Sequence, residues 1–122
     1  MVDFTCKQIN ANDLIKCTFG LNKTELRIFL FLLKSKLCIN SSEIAKHLSL
    51  DRTTIQKGMK KMLEKGIVER RQDNLDSGGY VLLYCVKKKP ELEKKMKEIL
   101  ASWKQNVDNE LESVFGHAKM IE

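Results

Sequence analysis

Between Asn40 and Gly66 the chain carries two helix starts with almost nothing between them. Asn40-Ser41-Ser42-Glu43 opens the first, which leads into Ile44, Ala45 and Leu48. Ser49-Leu50 leaves room only for a tight turn. Asp51 then caps a second helix, expected from Arg52 to Lys65 and closed by Gly66. Two helices joined this closely must cross at a steep angle. Ala45 falls where they meet and where a small side chain is needed. Ser49 takes the turn position where Gly is commoner, and Ile44, Leu48, Leu50 and Ile55 supply the small core between them. The spacing of Ala45, Ser49 and Ile55 is that of a helix-turn-helix unit.

The flanks extend this unit. Residues 1–10 show no periodicity and are expected to fray, and Ala11 to Cys17 is a short helix candidate anchored by Leu14 and broken at Phe19-Gly20. Asn22 and Glu25 have the spacing of a capping box and open a helix to about Ser35. Its apolar residues lie on both sides, so it needs a second covering surface, from the C-terminal helix of its own chain or of a partner. Leu37 to Ile39 is a short strand candidate. Ile67 to Gln72 and Tyr80 to Val86 read as two strands joined through the turn formers Asp73 to Gly79. Tyr80 and Tyr84 are expected to be largely packed. Pro90 suits the first turn of a last helix.

In that helix Leu92, Met96, Ile99, Leu100, Trp103, Val107, Leu111 and Val114 recur at steps of three and four. At 100° per residue they lie within about 120° of one another. A helix from Pro90 to Phe115 would be about 39 Å long, longer than the rest of the domain is wide. Part of its apolar stripe would face water in a monomer, so these eight residues are expected to form a homodimer interface. The predicted fold is mainly α with a small β-hairpin wing, a winged helix-turn-helix plus a long C-terminal dimerisation helix. Its parts are an N-terminal arm and short helix (1–18), the winged unit (19–89) and the dimerisation helix (90–122).

Composition narrows the function. The 122 residues carry a net charge of +6. Residues 1–89 hold 17 Lys/Arg against nine Asp/Glu, a balance of +8, and residues 90–122 hold five against seven, a balance of −2. A basic body with a slightly acidic tail points to a polyanion partner for the body alone. No apolar run approaches the length of a membrane span of about 20 residues, and the first ten residues lack a signal-peptide pattern, so a cytoplasmic location is expected. Cys6, Cys17, Cys38 and Cys85 form no CxxC pair and fit no zinc spacing. They are expected to be reduced, half-buried side chains; oxidation that shifts a dimer is the sharper alternative.

On the second helix of the unit, Ile55, Met59, Met62 and Leu63 share one face. Thr53, Gln56, Lys57, Lys60 and Lys61 share the other, flanked by Arg52 and Thr54 and ended by Glu64. Gln pairs with adenine, Arg with guanine, and Lys with guanine or phosphate. These residues are the expected contacts to double-stranded DNA. Ser41 and Ser42 open the preceding helix, whose free N–H groups suit phosphate as well as plain capping. Arg70 and Arg71 on the first wing strand suit phosphate or the minor groove, whereas Asp73 and Asp76 at the tip repel it. Lys87 to Lys89 read equally as backbone contacts or a solvated link. Gly58, in mid-helix, permits a close approach of backbone or DNA, or is simply tolerated, at roughly 1 kcal/mol relative to Ala.

The run Phe19-Gly20-Leu21-Asn22-Lys23-Thr24-Glu25 resembles the winged-helix domain of archaeal TrmB-type regulators. Leu50-Asp51-Arg52-Thr53-Thr54-Ile55, with Leu63 to Arg70, resembles MarR-type regulators equally. The resemblance covers about residues 19–86, with a shorter echo in the last helix. It implies a homodimer on operator-like duplex DNA, repressing or activating nearby genes. MarR-type wings usually carry a basic tip, unlike this one. Full-length TrmB regulators carry a large sugar-binding domain after the winged helix; this chain ends at Glu122, so sugar sensing is not expected.

An enzyme is not expected: His47 and His117 are far apart, with no nucleophile elbow, phosphate-cradling loop or paired carboxylates, and no cofactor or metal site is read. The other readings are a non-specific architectural DNA-binding protein and a winged-helix protein-interaction module. The Lys57, Lys60 and Lys61 face favours nucleic acid over protein. The lack of an aromatic platform on that face favours DNA over RNA.

Overall fold

The computed structural model describes residues 2–4 and 7–121. Two short strands, β1 (Val2–Phe4) and β2 (Lys7–Ile9), pair antiparallel where fraying was expected. They lead into α1 (Ala11–Phe19), which Asn10 caps by accepting from Asp13 N–H at 2.8 Å. Phe19 does not break this helix. It is the helix's buried anchor, and Leu14 is only half-buried; Gly20, in the left-handed region, ends it.

The order then follows the sequence reading: α2 (Lys23–Lys34), β3 (Ile39–Asn40), α3 (Ser41–Leu48), α4 (Arg52–Glu64), β4 (Val68–Asn74), β5 (Tyr80–Val86) and α5 (Lys89–Ile121). The capping box of α2 forms in both directions. Asn22 Oδ1 accepts from Glu25 N–H at 2.8 Å and Glu25 Oε1 from Asn22 N–H at 2.9 Å. Ser49 turns the chain between α3 and α4 with φ 55°, the conformation Gly adopts most easily. The strand expected at Leu37 begins instead at Ile39, and Leu37 is 80% exposed. β3 and β4 flank β5, all antiparallel, with Ile39 opposite Tyr84 and Arg70 opposite Tyr84 on the other side.

The core gathers one face of each helix. Ile28, Phe29 and Leu32 of α2, Ile44 of α3, and Ile55, Met59 and Met62 of α4 are all but sealed from water, with Ile67, Val68, Tyr84 and Leu92 around them. Gly58 has a definite role in this packing. A Cβ there would lie 3.0 Å from Ile28 Cδ1 and 3.7 Å from Glu25 Cγ, so its missing side chain lets α4 lie against α2. The other side of α2 is covered by its own chain. Phe29 and Leu33 line an apolar groove with Ile15 and Phe19 of α1 and Leu92 and Met96 of α5.

Two cysteines depart from the expectation of reduced thiols. Cys38 and Cys85 are joined as a disulfide, with Cα atoms 4.6 Å apart. Cys17 is free and exposed rather than half-buried, and Cys6 lies outside the described residues. At the C-terminal end α5 runs six residues beyond Phe115 and takes in His117, read from sequence as a fraying tail. At 33 residues it is about 50 Å long. The whole is a winged helix-turn-helix body with a long terminal helix.

Candidate nucleic-acid interface

Asp51 fixes the start of α4. Its Oδ1 accepts from Thr54 N–H at 2.7 Å. That backbone hydrogen bond, a second from the Thr54 hydroxyl and the nearby charge of Lys57 hold its carboxyl below the ordinary value of 3.8. From this start the helix divides as its sequence pattern requires. Ile55, Gly58, Met59 and Met62 are buried. Arg52, Thr53, Gln56, Lys57, Lys60 and Lys61 are exposed, with Thr54 half-buried between them.

The lysines of that face are not equivalent. Lys61 Nζ lies 3.4 Å from Glu25 Oε2, and Glu25 is itself only 4% exposed while its carboxylate caps α2. Lys61 therefore compensates a buried charge within the chain. Lys57 and Lys60 make no ion pair among the described residues. Lys65, just past the helix, donates to the carbonyl oxygens of Phe19 and Gly20 at 2.6 and 2.7 Å, closing the end of α1. A count of basic residues along α4 thus overstates the charge free to meet a ligand.

A groove opens between the start of α3, the first turns of α4 and β5. Ser42, Arg52, Gln56 and Tyr80 line it, with Ser41 at its floor. Ser41 is buried at 8% exposed, whereas Ser42 beside it is exposed. Asn40 Oδ1 already takes the Glu43 N–H at 2.8 Å. Tyr80, expected to be packed, is 59% exposed at the rim, whereas Tyr84 is buried. The reason is strand geometry. Tyr80, Leu82 and Tyr84 share one face of β5, but the core ends before the strand does. Its position next to Gly79, at the strand's outer end, was the available signal.

The same alternation separates the two wing arginines. Arg70 stands opposite Tyr84 and shares its face, with Gln72 and Asn74 further out beside Tyr80. Arg71 is on the other face, where Glu69 Oε1 holds it at 3.1 Å and Glu69 Oε2 also meets Lys87 Nζ at 3.7 Å. Only Arg70 faces the side of the sheet that packs on the helices. Asp73 and Asp76 are exposed at the tip, as is Leu75.

The eight α5 positions also divide. Leu92 is buried and Met96 half-buried against the chain's own α1 and α2. Val107 is half-buried, while Ile99, Leu100, Trp103 (56%), Leu111 and Val114 are exposed, and Phe115 continues the exposed stripe.

A family model described as sugar-specific transcriptional regulator TrmB matches residues 15–90, from α1 through the wing to the first turn of α5. The chain belongs to the TrmB family. Like other TrmB-family proteins it is a DNA-binding transcriptional regulator. A solved structure described as a possible transcriptional regulator from Methanosarcina mazei Go1 has a TM-score of 0.81 at 36% identity, covering 93% of this chain and 95% of that one. A MarR transcriptional regulator from the same organism has a TM-score of 0.51 at 22% identity over 89% and 88% of the two chains, a likeness of fold. Uncharacterized protein MJ1082 of Methanocaldococcus jannaschii is 32% identical over 101 residues, 83% of this TrmB-family chain and 82% of that protein. Among the described residues, no helix is long and apolar enough to cross a membrane.

Proposed function

We propose that the chain is a cytoplasmic, sequence-specific regulator that binds double-stranded DNA as a homodimer. Residues 19–89 read the DNA and residues 90–122 dimerise. The observation that carries this reading is the division of α4. Its apolar face is sealed in the core, so the exposed Arg52, Thr53, Gln56, Lys57 and Lys60 are held rigidly on the opposite side. Rigid placement matters because a side chain reads a base edge only when its donors and acceptors are aimed.

In this arrangement α4 enters the major groove. Gln56 and Arg52 face base edges, and Lys57 and Lys60 face bases or phosphates. Thr53 and Thr54, near the helix start, and Ser41 and Ser42, at the start of α3, position the backbone. Arg70 meets the flanking phosphates from the wing. Lys61 contributes long-range attraction, and Arg71 stays with Glu69. Dimerisation through the α5 stripe would set two copies of α4 into major grooves about 34 Å apart.

Selection from a mixed genomic DNA pool across a salt series tests this. Retained fragments should share a two-fold symmetric motif. Gln56→Ala should relax the preference at one position by about 1–3 kcal/mol, and Lys60→Ala should lower affinity on all fragments and reduce the salt slope by about 1. Binding without enrichment, falling steeply with salt, would replace the reading with an architectural, phosphate-contacting protein. No binding at low salt would favour a protein partner.

A further inference from the structure

Cys38 directly precedes β3, and Cys85 is the penultimate residue of β5. The pairing of Ile39 with Tyr84 and Asn40 with Leu83 places the two cysteines opposite one another, with Cα atoms 4.6 Å apart. That separation suits a disulfide. The two are 47 residues apart in sequence, and the loop they close contains α3, the turn, α4, β4 and almost all of β5. Every side chain proposed above to touch DNA lies within it.

Neither cysteine is sealed in the core. Both cysteines are half-buried. Cys38 lines an open surface groove with Lys36, Glu43 and His47, within reach of a small reagent. Cys85 Sγ lies 3.7 Å from Glu69 Oε1, the carboxylate that also holds Arg71 and Lys87. A thiol at Cys85 donates to Glu69, and a disulfide there has no S–H to give. The sulfur's state is therefore coupled to the charge cluster on the outer face of the wing.

We propose that Cys38 and Cys85 are a reversible redox modification site, closed by low-molecular-weight disulfides, and that closure raises affinity for duplex DNA. The affinity part rests on the DNA-binding reading above. The chemistry balances by thiol–disulfide exchange. Cys38 loses its proton to solvent and attacks one sulfur of RSSR, forming a mixed disulfide and releasing RS⁻. Cys85 loses its proton, attacks the Cys38 sulfur and displaces the second RS⁻. Two protein thiols give up two electrons to RSSR, and the two released protons convert the leaving groups to two RSH. The closed loop then ties the wing to the start of α3. Less motion remains to be ordered when DNA binds, and the unfolded chain is restricted as well.

The test equilibrates wild-type, Cys17→Ser and Cys38→Ser/Cys85→Ser proteins in buffers of reduced and oxidised small thiol. Free thiols are then alkylated and mapped, melting is followed, and affinity for a duplex is measured by fluorescence anisotropy. Oxidised wild type should lose alkylation at Cys38 and Cys85 alone. Its Tm should rise by roughly 10 °C or more, and its duplex affinity should rise on the order of fivefold. Cys17→Ser should behave the same, and the double variant should show neither change. Unchanged affinity on oxidation, or a bridge through Cys17 between chains, would overturn the proposal. If neither form bound any duplex, the DNA-binding reading would fail and take the affinity part with it. The mapped bridge and the Tm shift would still decide the redox part separately.

Discussion

The helices α4 and α5 handle their apolar faces in opposite ways. The apolar face of α4 is finished within the chain: Ile55, Met59 and Met62 are buried to the last atom or nearly so. What it shows to solvent is Arg, Thr, Gln and Lys, with Glu64 at its far end. Only the first turns of α5 are finished, through Leu92 and Met96, and from Ile99 onward its apolar stripe meets water except at the half-buried Val107. A completed amphipathic helix exposes polar groups suited to a polar, charged partner. An incomplete one exposes apolar area that only an apolar partner compensates. Two helices of similar pattern in sequence thus present different surfaces by how far the rest of the chain covers them, which suits the different partners proposed for them.

The largest effect expected from breaking this contrast is in the body. Ile55→Ala removes buried atoms from a sealed site and should cost about 2–5 kcal/mol in urea unfolding. Val114→Ala, on the exposed stripe of α5, should change the stability of dilute monomer by less than about 0.5 kcal/mol. Equal costs would mean that the α5 stripe is already packed within one chain.

The next effect is on assembly. Charged replacements at Leu100, Trp103 and Val107 together should give a monomer by sedimentation, with the body still folded. Affinity for a two-half-site duplex should fall by about 100-fold or more, because the second half-site is no longer tethered to the first. A variant that remained dimeric would place the interface elsewhere and leave the exposed stripe without its proposed partner.

Much of this division was legible in the sequence because it is local. Asn22 with Glu25, Asn40 with Glu43 and Asp51 with Thr54 each act over three residues. Ser49 announces its own turn, and the faces of α4 and α5 follow from the helical period. What stayed hidden depends on groups far apart in the chain. Lys61 looks like a free cation until Glu25, 36 positions earlier, is seen beneath it. Gly58 has no reason until Ile28 is placed against it. Cys38 and Cys85 show no spacing motif because strand pairing, not sequence distance, brings them together. The first strands were missed for another cause: three-residue strands are too short to display a period.

A smaller effect sharpens the contrast within the wing itself. Arg70 and Arg71 are neighbours of identical type on opposite faces. Arg70→Ala should weaken duplex binding by about 1 kcal/mol and lower the salt slope by about 1. Arg71→Ala, whose partner is Glu69, should leave the slope nearly unchanged. The reverse order would mean that the outer face of the wing, not the face shared with Tyr80 and Tyr84, meets the DNA.

The smallest effect concerns the cap that starts α4. The Asp51 carboxyl is held below its ordinary value of 3.8, chiefly by the Thr54 backbone N–H and then by the Thr54 hydroxyl, with Lys57 adding to both. A carboxyl lowered in this way favours the fold while it is ionised, above its unfolded value. That contribution is lost as pH falls through the lower folded value. Melting of wild type and Asp51→Ala should therefore differ at pH 6, and the gap should narrow on acidification below about 3.8. Asp51→Ser keeps an acceptor for Thr54 N–H without a titrating charge. It should stay closer to wild type at pH 6 than Asp51→Ala does, and the Tm gap between the Ser and Ala variants should not change across this range. A wild-type-to-Ala gap that stayed constant to pH 3 would show that the ionised form is not what holds the start of α4. The cap would then act through its hydrogen bond to Thr54 without help from its charge.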